Sequence, residues 1–461
     1  MPFKPSIRCI YLVVALCVCQ VLFSQGHPTA ARQENKSNAP RSNAPKEVID
    51  WFRSAAIPLT NISPDAGLED MSPLLPVVGN ARIVAMGEAT HGTRQFFELK
   101  HRMLEFLAEK MGFTVFAIEA NWPESLAVND YVLNGRGDPA AALAGMYFWT
   151  WNTEEVLDMI RWMRGYNENP AHLGKLKFLG FDMQTARVAV SNVHEYLEKV
   201  DPEESPRAAN VLAPLADEIN EREYATKPLQ VRMETAQGVK TLLARFSNRK
   251  QEYVEASSEE DWIVAQHNLE IIRQAEELHS RRAWGIRDRY MAANVKWILD
   301  HEPPGTKMML WAHNGHVSTS PWAMGNVLRR LYRQNMVVCG FSFSVGSFRA
   351  RGLPNRPHLQ YFSAGPPPAN SLDSALADTG LGLFAIDLRT APETGVVGEW
   401  LHAFHPMRMI GSVYDELAPG AYFLPIRPDS FDVIFFVNET SPARENPERP
   451  REMETEFKRG E

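Results

Sequence analysis

The sequence predicts an α/β fold: a mainly parallel sheet flanked by helices, with a helical insertion over the cleft. Three observations carry this reading. From about residue 47 onward short apolar runs alternate with longer amphipathic stretches, as strands and crossover helices do. Polar residues gather where several of the apolar runs end. Residues 190–300 hold no convincing strand and are long, charged and periodic at 3.6 residues.

Taken in order, the first strand is expected over residues 81–86, followed by Gly87 and a helix starting near Thr93. The second covers 113–118 and the third 177–181, each leading into a helical stretch. Further runs lie at 307–312, 336–341, 383–386 and 432–437. No repeat of fixed period interrupts them, which excludes a solenoid. A chain of 461 residues, 44% hydrophobic and 23% charged, can bury one large core, so fibrous and wholly disordered readings are excluded as well.

The first segment reads as an address rather than as part of the fold. Lys4 and Arg8 precede an apolar run over 10–23 that is too short to span a membrane, and small residues follow. Residues 1–28 are therefore expected to be a signal peptide, and the mature chain to be exported, periplasmic or extracellular. Residues 29–46 read as a flexible linker, 47–440 as the α/β domain containing the 190–300 insertion, and 441–461, rich in Glu, Arg and Pro, as a disordered tail. Neither Cys17 nor Cys19 follows a small residue, so a lipoprotein box is missing. Cleavage would remove Cys9, Cys17 and Cys19 and leave Cys339, which sits in an apolar run and reads as a small hydrophobe.

The formal charge of −8 gives no cationic surplus for a phosphate backbone or an anionic lipid surface. Neither nucleic acid nor, once the leader is gone, membrane is expected as a partner. A small molecule is.

In an open parallel sheet the carboxyl ends of the strands form one edge, and ligands bind there. Glu88 and His91 follow the first strand, Glu119 ends the second, Asp182 the third, and His313 and His316 follow the fourth. If those strands are neighbours, the side chains converge. Histidine can act as a base near neutral pH, a carboxylate can orient it, and a second imidazole can donate to a developing oxyanion. Glu88 and His91 lie three apart in Gly-Glu-Ala-Thr-His-Gly, and His313 and His316 three apart in Ala-His-Asn-Gly-His. These five are the catalytic candidates.

Four further residues are candidates for contact with substrate. Lys100, about two helical turns beyond His91, could return a positive charge to the cleft. Asp182 is either at the rim or a helix cap. Trp122, with Tyr147, Trp149 and Trp151, makes an aromatic neighbourhood that is either core or an apolar wall. Arg287, next to Asp288, is either a structural ion pair or closes over the cleft.

Several chemistries are excluded by spacing. The chain has no Gly-x-Ser-x-Gly elbow, no His-Glu-x-x-His, no Walker A pattern and no Gly-x-Gly-x-x-Gly. The expected site uses no cofactor. Zn²⁺ or Mn²⁺ held by the same histidines and glutamates is the alternative, although His-x-x-His in a loop constrains a ligand pair less than i, i+4 on a helix.

The strings Met86-Gly-Glu-Ala-Thr-His-Gly92, Phe96-Phe-Glu-Leu-Lys-His-Arg102, Phe116-Ala-Ile-Glu-Ala-Asn121, Arg287-Asp-Arg-Tyr-Met-Ala292 and Ala312-His-Asn-Gly-His316 together resemble the erythromycin esterase family, in its order and over most of 47–440. The resemblance implies hydrolysis of a macrolide lactone ester by histidine-activated water, without an acyl-enzyme. It places His91 as general base, Glu88 and Glu119 as its partners, His313 as a further essential histidine and His316 as the second of that pair. It places Lys100 where macrolide esterases carry arginine; lysine keeps the charge but lacks the planar fork. Two other readings of the same residues are a metal-dependent hydrolase of amides and a periplasmic ligand-binding protein without turnover.

Overall fold

In the computed structural model the four strands that end in polar residues lie side by side in one sheet. The structure describes residues 41–446 apart from Asp65, 217–220, Arg282, Trp284 and 354–355. Its strands are β1 (Ala56–Pro58), β2 (Ile83–Met86), β3 (Val115–Asn121), β4 (Lys177–Asp182), β5 (Met308–Trp311), β6 (Met336–Gly352), β7 (Arg356–Ala364), β8 (Leu383–Asp387), β9 (His405–Arg408), β10 (Val413–Tyr414), β11 (Phe423–Ile426) and β12 (Val433–Thr440). The main sheet runs β1-β8-β12-β6-β2-β5-β3-β4, and β9 and β11 form a separate pair.

From β12 to β4 every neighbouring pair is parallel. Antiparallel β8 and β1 finish one side. The expected α/β class with a mainly parallel sheet is what the chain adopts, and all seven expected runs are strands. Alternation explains the layers. Ile83, Ala85, Val115 and Ala117 point into one core, whereas Val84, Met86, Phe116 and Ile118 point into the other. Both faces are covered, so each strand reads as continuously apolar.

The stretch expected to be helical is helical: Arg187–Val200, Ser205–Ala216, Glu221–Thr226, Leu229–Asn248, Lys250–Ala256, Glu259–Arg281 and Ile286–Asp300. Apolar residues of these helices, such as Val193, Leu242 and Leu269, share one core with the sheet. The insertion touches the carboxyl edge of β4, where Asn294 Nδ2 donates to Phe181 O (3.0 Å) and His279 Nε2 lies 2.8 Å from Gln184 O. Among the described residues no helix is long and apolar enough to cross a membrane.

The differences lie at the ends and in β6. That strand continues past Phe341 and folds back as β7; the alternation Phe341-Ser-Phe-Ser-Val345 carried the signal, and Cys339 is indeed buried in it. The expected signal peptide lies outside the described residues, as does most of the linker. The last linker residues are packed: Ser42 N donates to Asp378 Oδ2 (2.6 Å), Asn43 N to Ala369 O (2.7 Å), and a helix starts at Lys46. The expected tail likewise begins too early. Residues 441–446 are strapped to the body, with Ser441 O accepting from Arg94 N (2.9 Å), Ala443 N donating to Gly92 O (3.0 Å), and Arg444 O accepting from Glu154 N (3.0 Å). Residues 447–461 lie outside the described residues.

Candidate active site

The registers Met86 with Trp311 and Ile118 with Trp311 bring the turns after β2, β5 and β3 to one place. Asn314 N donates to Glu88 O at 2.9 Å and stitches the two histidine turns together. Gly92 allows the first of them to fold tightly. A β-carbon there would fall 2.0 Å from Arg349 O, so no other residue fits.

Glu88 is the hub of one group of side chains and has no exposed surface. Its Oε1 accepts from His91 Nδ1 (2.6 Å), and its Oε2 accepts from both Lys100 Nζ (2.6 Å) and Trp311 Nε1 (2.7 Å). Lys100 reaches back because helical side chains lean towards the N-terminus of their helix, here Arg94–Met111. Its ammonium lies 4.2 Å from the centre of the Trp311 ring. The lysine lacks a guanidinium fork, and the indole N–H brings the second donor to the same oxygen.

Burial alone would make Glu88 less acidic. Lys100 and His91 outweigh it and hold the carboxyl below its ordinary range. Burial lowers Lys100 to about 8, against the pull of Glu88. Because Glu88 is ionised, His91 Nδ1 carries the proton and Nε2 keeps a lone pair when the ring is neutral.

Glu119 is the hub of the second group. Its Oε2 accepts from His313 N (2.9 Å) and its Oε1 from Arg287 Nη2 (2.7 Å), with His316 Nε2 at 3.3 Å. Arg287 Nη2 also donates to Asp182 Oδ2 (2.5 Å), and His316 Nδ1 lies 2.9 Å from Asp288 Oδ1. Desolvation opposes ionisation of Glu119, but His316, Arg287 and His91 hold its carboxyl far below the usual range. Desolvation also opposes charge on His316. Glu119 and Asp288 prevail over it, and over Arg287 Nη1 at 3.1 Å, so the imidazole is raised above its ordinary value.

The groups meet at His91 and His313, whose ring centres are 5.1 Å apart. His313 Nδ1 accepts from Gly315 N (3.2 Å), which places the proton on Nε2. That nitrogen is buried without a partner among the described residues. Burial, aided by repulsion from His91 and His316, lowers His313 to about 3 and keeps it neutral. Trp151 packs edge-on against His91 with ring centres 5.5 Å apart, and its Nε1 donates to Glu119 O (2.8 Å).

Eight of the nine candidate residues are thus joined in these two groups. Trp122 is not. It is 2% exposed and packs against His267 and Trp297 at 4.5 and 5.5 Å in the core beneath the insertion, which corrects its reading as a substrate wall. Lys100 and Asp182 are fully buried in ion pairs, and Arg287 is occupied by two carboxylates. These three support the site from beneath. Sequence reasoning missed Trp311 as a donor, Trp151 as a neighbour of His91, and Asp288 as an anchor of His316. Nothing in the spacing marks the first two, whereas Asp288 adjoins Arg287. Among the described residues, no three His, Cys, Asp or Glu side chains are grouped to hold a metal ion.

Imidazoles held by carboxylates at the carboxyl edge of a parallel α/β sheet fit the chain to water-activating chemistry, of which hydrolases are one class. Its particular place follows from the sequence profile of the erythromycin esterases, which matches residues 108–440: the chain belongs to that family. It is 26% identical over 300 residues to the erythromycin esterase type II of Escherichia coli, covering 59% of this chain and 69% of that one. A crystal structure of a Bacillus cereus protein superposes with a TM-score of 0.76 at 27% identity, covering 86% of this chain and 98% of the other. A mutant of the erythromycin esterase EreC in its open conformation shares the fold, with a TM-score of 0.64 at 16% identity and coverage of 82% and 96%.

Proposed function

We propose that the chain hydrolyses a carboxylic ester, a bulky lactone of the macrolide kind, by direct attack of water. The observation that carries this reading is the pair His91 and His313, neighbours whose partners impose opposite roles on them. His91 presents a basic Nε2 with Glu88 behind it. His313 has a neutral Nε2–H with no hydrogen-bond partner among the described residues.

In this mechanism His91 takes a proton from water as its oxygen bonds to the ester carbonyl carbon. His313 donates to the oxyanion that forms. Collapse of the tetrahedral adduct breaks the bond to the alkoxy oxygen, which leaves with the proton held on His91. A lactone opens to a hydroxy acid and no covalent enzyme intermediate forms. Glu119, Arg287, Asp182, Asp288 and His316 position the second histidine turn. Both nitrogens of His316 face charged partners, so positioning is the role its geometry supports.

Incubating the purified chain with 14- and 16-membered macrolides and simple lactones, followed by mass spectrometry, tests this reading. A gain of about 18 Da, one water added across the ester, is the expected outcome. No mass gain on any of these substrates overturns it.

A further inference from the structure

Trp322 does not behave as a residue of the core. It is 70% exposed, although tryptophan gains more from burial than most side chains. Its backbone has φ 76°, one of three positive values at non-glycine residues among those described. For a bulky side chain this conformation is strained and persists only where the surroundings impose it, most often at functional sites.

The loop that carries it is tied to its surroundings on both sides. Thr319 N donates to Ser430 O (2.9 Å), Asn326 Nδ2 donates to Thr319 O (2.8 Å), and Ala323 is buried beside it. Two residues beyond Trp322, Met324 N donates to Asp288 Oδ1 (2.8 Å), the atom that also faces His316 Nδ1. On the other side the tryptophan overlies Gly285, where an added β-carbon would be 3.4 Å from Trp322 Cβ. Gly285 immediately precedes the helix that carries Arg287 and Asp288. An exposed indole is thus held on a fixed loop next to the second histidine turn.

We propose that Trp322 is a specificity-determining residue: a flat apolar platform on which the ring of a bulky ester lies while its carbonyl reaches His91 and His313. This rests on the esterase reading and adds the part of the substrate that is recognised. A large saturated ring offers an indole broad apolar contact, whereas a small acyl ester is too short to cover both the platform and the histidines.

The test compares wild type with Trp322→Gly and Trp322→Phe, using p-nitrophenyl acetate and a 14-membered macrolide lactone. Glycine is at ease at positive φ, so that variant keeps the loop, and its melting temperature checks the fold. The ratio of kcat/KM for the lactone to that for the small ester is expected to fall about tenfold in Trp322→Gly, mainly through KM, and to recover in Trp322→Phe. An unchanged ratio overturns the proposal, as does a small ester hydrolysed while the lactone is neither cleaved nor bound. If wild type cleaves neither ester, the esterase reading fails, and calorimetric binding of the same lactone judges the platform separately. Binding lost in Trp322→Gly supports it; equal binding, or none in wild type, overturns it.

Discussion

The rings of His91 and His313 stand 5.1 Å apart, one with its Nδ1 against a carboxylate and the other with its Nδ1 against a backbone N–H. Two imidazoles thereby carry their protons on opposite ring nitrogens, each set by one partner: Nδ1 in His91 and Nε2 in His313. Hydrogen bonding of one ring nitrogen decides what the other can do.

His91→Ala should lower kcat for ester hydrolysis by about 10²–10⁴-fold, the usual worth of a positioned general base. The melting temperature should stay close to wild type, since the turn is held by Thr90, Gly92 and Ala443. Steady-state kinetics beside calorimetry checks both, and retained turnover would remove His91 from its role.

His313→Ala should cost about 10²–10³-fold in kcat with a smaller change in KM, because an oxyanion donor acts chiefly in the transition state. A loss confined to KM would make His313 a binding residue instead.

Lys100→Met leaves Glu88 buried without its cation. Breaking a buried pair on one side costs about 3–5 kcal/mol, so the urea midpoint should fall markedly. The carboxyl should also lose acidity, loosening its hold on His91, and activity should fall with stability. Lys100→Arg, which keeps the charge, should be milder in both readouts.

Acid should destabilise the fold starting near pH 6.5. Burial lowers His101, His267 and His313 to about 3, while an unfolded imidazole titrates near 6.5. Below pH 6.5 the unfolded chain takes up protons that the folded chain refuses, so these three subtract stability progressively down to about pH 3. His316, raised in the fold, acts oppositely: its contribution is complete below 6.5 and is lost as pH rises through its folded value. Burial lowers His405 as well, whereas the carboxyls of Glu124, raised by burial to about 7, and Asp373, also raised, act with His316; the four lowered imidazoles outweigh these and give a net loss on acidification. His267 stacks on Trp297 at 3.6 Å, and neither ring nitrogen has a partner among the described residues. His267→Phe should therefore flatten the fall in melting temperature between pH 7 and pH 5; an unchanged slope would count against this account.

Arg444→Ala should destabilise by about 1–3 kcal/mol in urea titration, since the buried Glu155 side chain loses Arg444 Nε at 2.8 Å. Arg444→Lys should recover part of that, and equal losses would show that only the backbone of the segment matters.

Much of this was readable because a parallel sheet sorts residues by position. Whatever follows a strand stands on one edge, so Glu88, Glu119, Asp182 and His313 could be grouped before any strand order was known. Their adjacency could not. β5 lies between β2 and β3 in space yet comes nearly 200 residues later in the chain, and such non-local pairing leaves no local trace. Trp122 misled because it follows the Glu119 strand closely, but the start of the next helix turns it into the opposite core. Trp311 reads as an apolar strand residue, and its N–H shows its use only once Glu88 lies beside it.

The strap of residues 441–446 bears on timing. Ser441 and Gln95 bond across a separation of 346 residues, and Ala443 fixes the peptide just after His91. A nascent chain can build most of its sheet and helices while the turn carrying His91 is still unfastened. Completion of the site would then wait on the docking of residues 441–446. A single proteolytic cut near Arg444 would undo it without touching the histidines.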